Sequence, residues 1–424
     1  MADDSAGIQQ AGLIDIKGAW LVDTKNDNKL YNLLGSFTDL RLYESLHSPK
    51  MQGYVTLTET QNLITDIPIV GHEVVKFEFQ TPGLESFEVS FVISSVGRRV
   101  HSERSNAYSL ELISYATYKT LNKKISKAYY GRTSDLVQSI YKDNFKDKMV
   151  DVDESDNVIK FVSPFWDPMA IIEHITRLAL YPNNKMRTPN YLFYETHKGH
   201  KFKSITTLIN QKPFTTFLFN KNPARLKVLE EQSVRDIGLE YAIAKSLTFI
   251  DSPCVIKNTL QGTLNTNVFS MNLLTNEIKI SSYNARKDFN KVEHMSEVPL
   301  TKMYAPTDSG FYAIKHTYPE LHDNVDDVSD DITAKTAPML SQLESYKINM
   351  VVHGRTDYEV GMVVYVIMNQ FKVADNNDSH NPDAYDKMYS GKYLVTRIEH
   401  AFTQSMYQCN LELIKDSTWA GSFK

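Results

Sequence analysis

At 424 residues the chain is too long for one hydrophobic core and fits two to four domains. A 42% hydrophobic and 23% charged composition excludes a disordered chain. A net charge of −5 lacks the basic surplus of a dedicated nucleic-acid binder.

From Gly18 to about Leu121 the pattern is mostly strand. FTDLRLYESL places Leu40, Leu42 and Leu46 on one side, GYVTLTET places Val55 and Leu57, and EVVKFEFQT places Val75, Phe77 and Phe79. TPGL makes a turn before SFEVSFVISSV. Period-two segments separated by short polar turns predict antiparallel sheet, and a barrel or sandwich is the natural closure. Near Asn122 the character changes. RTSDLVQSIYKDNF predicts a helix capped by Thr133 or Ser134, with Leu136, Val137, Ile140 and Tyr141 on its apolar face. WDPMAIIEHITRLAL predicts a second helix, with Asp167 as N-cap, Pro168 first in the helix and a stripe of Ile172, Ile175 and Ala179. NYLFYETHKGHKFKSITTLI reads as a hairpin turning at residues 197–200.

ARLKVLEEQ and NEIKISSYN read as strands, and VRDIGLEYAIAKSL as a helix or a strand pair around Gly238. The acidic stretch at residues 320–332 reads as a solvated loop without the ligand order of a calcium site. Residues 346–414 return to alternating strands. Cys254 and Cys409 make no disulfide framework, and assembly in a reducing cytoplasm is expected. The start MADDSAGIQQ is unlike a signal peptide, and no apolar run approaches the roughly 18 residues of a membrane helix.

The tetrad Leu-Glu-Leu-Ile occurs at residues 110–113 and again at 411–414. Around it, VGHEVVKFEF from Val70 matches VGMVVYVIMN from Val360, pairing Gly71 with Gly361 and Val74 with Val364. FVISSVGRRVHSERSNAYSLELIS matches YLVTRIEHAFTQSMYQCNLELIK, with a one-residue difference assigned to the hairpin turn. The second copy carries a longer loop, KVADNNDSHNPDAYDKMYSG. These blocks predict one small barrel built twice. Three such chains in a ring would present six similar barrels, giving pseudo-sixfold symmetry.

The run YLFYET…G.KF.SI at residues 191–205 and the run G.TD…VGM.V.V at 354–366 resemble the baseplate hub protein of contractile-tailed bacteriophages. That protein is similar in fold to the N-terminal part of type VI secretion spike proteins. The likeness covers most of the chain, loosely at residues 220–304 and not at the acidic loop. It implies an α+β, mainly antiparallel fold: a first tube-like barrel in residues 1–121 and an α/β domain in 122–215, which 251–335 could complete. A second barrel would follow in 216–250 plus 336–424. It also implies a homotrimer between a hexameric tail tube, a trimeric spike and other baseplate proteins, with DNA able to pass through the channel and no membrane. Its place would be the virion tail baseplate, assembled in the host cytoplasm.

No catalytic, cofactor-binding or metal residue is expected. His197 and His200 flank a glycine turn with no carboxylate or third histidine spaced to complete a site. Glu173 and His174 are adjacent on a helix and point about 100° apart. Asp151 and Asp153 read as loop acids, and a glycosidase would need two carboxylates held about 5–9 Å apart. GRRVHSER, residues 97–104, reads as a basic hairpin tip that could meet an acidic partner ring or passing DNA. The abundant Tyr and sheet leave a carbohydrate- or receptor-binding surface module as the alternative, and a hydrolase as a third reading.

Overall fold

The computed structural model describes residues 10–418 apart from 24–27, 61–66, 68, 103, 146–148, 184, 220–236, 252–253, 255, 257–259, 261–264, 300–308, 315–328, 370–385 and 387. Seven strands open the chain: β1 (Asp15–Asp23), β2 (Lys29–Asn32), β3 (Phe37–Ser45), β4 (Gln52–Glu59), β5 (Val74–Gln80), β6 (Ser86–His101) and β7 (Asn106–Ser114). Their alternation works as read: Leu40, Leu42, Val55, Leu57, Val75, Phe77 and Phe79 are all buried. Each such side chain contributes about 1.5–3 kcal/mol relative to exposure.

A second core follows. It holds β8 (Ala128–Arg132), β9 (Asp151–Val152), β10 (Val158–Val162), β11 (Tyr191–Thr196) and β12 (Gly199–Ser204), with helices Thr133–Phe145 and Pro168–Leu178. Val137, Ile140, Ile172 and Ile175 fill it. Asp167 caps the second helix as expected, accepting from Ala170 N at 3.0 Å. The first helix is capped differently: Ser155, across the fold, takes the Ser134 amide at 2.8 Å. The hairpin segment also ends earlier than read, because Ser204 accepts from Thr206 N and starts the short helix Ile205–Ile209.

The remaining strands are β13 (Thr215–Phe219), β14 (Ser246–Asp251), β15 (Asn265–Met271), β16 (Ile278–Asn284), β17 (Val298–Pro299), β18 (Ser309–Ile314), β19 (Tyr346–His353), β20 (Val363–Met368), β21 (Gly391–Thr403), β22 (Tyr407–Lys415) and β23 (Ser417–Thr418). The ambiguous segment around Gly238 is helix Ile237–Ala242, followed by β14. Part of the acidic stretch read as loop is helical: Ser329–Leu343 forms a helix with Pro338 inside it. The proposed strand at 224–232, residues 320–328 and most of the long loop after β20 lie outside the described residues.

The duplication shows in strand order. The first set pairs in the path β3-β4-β7-β6-β5-β1, and the last set in the path β14-β19-β22-β21-β20-β13. Taken in chain order, the six strands of each set occupy the same places. Four pairings are antiparallel in both; the fifth, β5–β1 and β20–β13, is antiparallel in one and parallel in the other. The register repeats as well. Leu110, Glu111, Leu112 and Ile113 face Val96, Ser95, Ile93 and Val92; Leu411, Glu412, Leu413 and Ile414 face Ile398, Arg397, Val395 and Leu394. Both ladders skip one residue at the same place, Ser94 and Thr396, a bulge that bends each strand alike.

Two details of the sequence match need correction. Val74 faces Val92 while Val363 faces Leu394, so Val74 corresponds to Val363 and not Val364. The same offset continues upstream: His72 N donates to Ile93 O at 3.1 Å as Gly361 N donates to Val395 O at 2.9 Å, so His72, held at φ 76°, and not Gly71, is the counterpart of Gly361 at φ 85°. The hairpin turns also have equal length, four residues after His101 and four after Phe402. The one-residue difference is a second irregularity between Val96 and Arg99.

Among the described residues neither set closes on itself. The two join edge to edge through β3 and β21 in one 13-stranded, mostly antiparallel sheet, and their inner faces share one core.

Candidate assembly interface

The seam between the sets runs antiparallel from Asp39 opposite Thr403 to Ser45 opposite Arg397. Arg41 crosses it to Glu399 at 3.0 Å and also holds Asp39 at 3.2 Å. The Tyr43 hydroxyl donates to the same Glu399 oxygen at 3.2 Å. Beneath, Phe79 stacks on Phe402 with centroids 4.2 Å apart.

The β11–β12 turn locks onto this seam, which corrects its reading as a surface turn. Glu44 of β3 is fully buried. Its Oε1 accepts from the His197 amide at 2.8 Å and meets His197 Nδ1 at 2.9 Å; its Oε2 accepts from Val360 N at 3.2 Å. His400 Nε2, on β21, lies 3.7 Å from Oε1. Burial alone would raise the Glu44 pKa, but the hydrogen bonds and charge of His197 and His400 outweigh it and hold the carboxyl well below its usual range. Burial disfavours a charge on His400, yet Cys409 and Glu44 together push it up to about 10. The carboxylate and second histidine that complete this trio come from residues 44 and 400, so no spacing near His197 could have shown them. His200 points elsewhere, to Tyr141 at 3.1 Å and the Pro49 carbonyl at 3.0 Å.

The duplication makes the seam informative about two other edges. β14 is the counterpart of β3 and, among the described residues, ends the sheet, paired only with β19. β6 is the counterpart of β21; β5 pairs with it only as far as Val92, and among the described residues no strand flanks that side of 95–101. The partners of the seam thus recur as two open edges. Phe249 and Ile250 of β14 and Val100 of β6 are about half exposed there.

The other residues weighed in the sequence resolve structurally. Asp151 and Asp153 both grip Lys203, at 2.7 and 2.9 Å. His174 packs against Phe161 and Trp166, and burial lowers its pKa. Arg98, Arg99 and Arg104 are exposed at the β6 tip, whereas His400 and Phe402 of the equivalent β21 segment are buried. Cys254 is exposed and Cys409 buried, unpaired with each other. No helix among the described residues is long and apolar enough to cross a membrane.

No family model and no curated protein matches the sequence. Solved structures do. The 43 kDa tail protein of prophage MuSo2 from Shewanella oneidensis is similar over 95% of this chain and 99% of its own, with a TM-score of 0.56 and 11% identity. A tail protein from Neisseria meningitidis MC58 is similar over 95% and 99%, with a TM-score of 0.52 and 11% identity. At that identity the likeness is one of architecture, and this chain has the fold of those tail proteins.

Proposed function

We propose that the chain is the structural baseplate hub of a contractile phage tail, a homotrimer joining a hexameric tail tube to a trimeric central spike around a channel. The β3–β21 seam carries this reading. If β14 of one copy adds to the open half of β6 in the next, the same joint recurs between subunits. Each copy gives one edge and receives one, a head-to-tail contact that can close into a ring. Three copies would then hold six equivalent seams, three within chains and three between them.

In such a ring the two strand sets serve as the tube-like barrel domains, and they close only through their neighbours. Residues 1–121 and 216–250 with 336–424 are the tube-like units, and 122–215 with part of 251–335 form the α/β unit on their flank. The fold shared with phage tail proteins supports a virion tail location, with assembly in the host cytoplasm and DNA passing the channel. The role asks for shape and symmetry rather than catalysis.

Light scattering on the purified chain, alone and with its spike partner, tests the proposal. A mass of three chains, with class averages showing six similar lobes, is expected. A monomer at high concentration in the presence of spike overturns it.

A further inference from the structure

We propose that Glu44, His197 and His400 form a transition-metal site, best suited to zinc, that staples the seam to the β11–β12 turn. The three ligand atoms, Glu44 Oε1, His197 Nδ1 and His400 Nε2, lie within 4.8 Å of one another in a buried setting. Tetrahedral zinc with bonds of about 2.0–2.1 Å sets its ligands about 3.3 Å apart. The two distances to Glu44 Oε1, 2.9 and 3.7 Å, fall on either side of that value.

The hydrogen bonding around His400 supplies a second, independent reason. The Arg355 carbonyl can only accept, and the Tyr407 hydroxyl donates to it at 3.1 Å. The Tyr407 oxygen therefore accepts from His400 Nδ1, 2.7 Å away. With Nδ1 as the donor to Tyr407, Nε2 is the ring nitrogen turned toward Glu44. A partner on the far nitrogen is how metal-bound imidazoles are oriented. His400 Nε2 is buried and has no hydrogen-bond partner, and 3.7 Å is too long for a proton to bridge it to Glu44. The space between Nε2 and the buried carboxylate suits a cation, and a metal that displaces the imidazole protons gains His197 Nδ1 as its third ligand.

The ligands come from β3, from the turn after β11 and from β21. A metal would tie three parts of the chain separated by about 150 and 200 residues at one point. Binding to the folded state alone would stabilise that junction. The inference goes beyond the hub reading, because the site lies wholly within one chain and can be assayed in any oligomeric state.

The test measures metal content by mass spectrometry on full-length protein purified without chelators. Thermal unfolding is then followed after chelator treatment and after zinc is restored. About one zinc per chain is expected, with Tm falling on the order of 5 °C on removal and returning on re-addition. Cobalt in place of zinc should give visible absorption bands of a four- or five-coordinate ion. Glu44→Gln keeps the acceptors for the His197 amide and should weaken binding at least about 100-fold. Metal-free protein whose Tm ignores chelator, zinc and cobalt overturns the proposal. So does metal binding that Glu44→Gln leaves unchanged.

Discussion

Ser94 and Thr396, 302 positions apart, donate equivalent hydrogen bonds: each side-chain hydroxyl reaches a glutamate carbonyl, of Glu111 and of Glu412, at 3.2 Å. Both sit in the bulge of matching strands, beside matching Leu-Glu-Leu-Ile tetrads. Their surroundings differ. Thr396 is buried and also bonds Glu412 Oε1 at 2.8 Å, whereas Ser94 is exposed. Thr396→Ala should therefore cost about 1–2 kcal/mol and Ser94→Ala less than about 0.5 kcal/mol in urea unfolding. Equal costs would show that the bulge itself, and not its burial, sets the energy.

Gly71 and Gly361 precede equivalent strands, and both have left-handed backbones, at φ 103° and 85°. A β-branched residue is strained at either, by about 1–3 kcal/mol. At Gly361 an added Cβ would also sit 2.8 Å from the Tyr194 hydroxyl and 3.3 Å from Leu208, while at Gly71 the nearest atom is 3.5 Å away. Gly71→Val should lower stability, and Gly361→Val should lower it by about 1–3 kcal/mol more. Thermal melts of the two variants would check the order.

His294 and Asp416 tie the segment after β16 to the end of β22. His294 Nδ1 meets Asp416 at 2.6 Å and Nε2 meets the Phe289 carbonyl at 3.1 Å, so both ring nitrogens face acceptors. Burial opposes the charge on His294, but Asp416 outweighs it and raises the pKa above 6.5; burial opposes the Asp416 charge too, but His294 lowers its pKa below 3.8. The His294 contribution is present below its unfolded value and lost as pH rises through the raised one. The Asp416 contribution is present above its unfolded value and lost as pH falls through the lowered one. The pair therefore stabilises most between about pH 4 and 6.5. Asp416→Asn should cost about 3 kcal/mol within that window and flatten the profile on both sides. A pH series of denaturant midpoints would read this directly.

Much of the sheet was legible from sequence because a half-buried strand writes its own period: Leu40 and Leu42, or Val75, Phe77 and Phe79, need no partner to be recognised. The repeat was legible for the same reason. Its register slipped by one because the counterpart of Gly361 is His72, whose positive φ nothing in its side chain announces, while the glycine beside it offered a match. The second difference was misplaced because a residue bulged out within a strand and one added to a turn look alike in an alignment. The seam was not legible. Arg41 and Glu399 meet only because two sheet edges join, and edge pairing between strands some 350 residues apart leaves no local pattern. The burial of His197 followed from the same joining, so its glycine-turn setting pointed to solvent instead.

The joint between copies can be trapped chemically. On the seam Arg41 stands opposite Ala401. Following the repeat, the counterparts are Val100 and Thr248, which faces Asn349 opposite Glu412 as Arg41 faces Tyr54 opposite Glu111. Antiparallel partners lie about 4.5–5.5 Å apart at Cα, within reach of a disulfide. In a Cys254→Ser background, Val100→Cys with Thr248→Cys should oxidise to a covalent species of three chains, and either cysteine alone should stop at dimers or fewer. If the double variant forms no bond between chains under conditions where the protein assembles, the open edges do not repeat the β3–β21 seam and the ring of six equivalent strand sets is wrong.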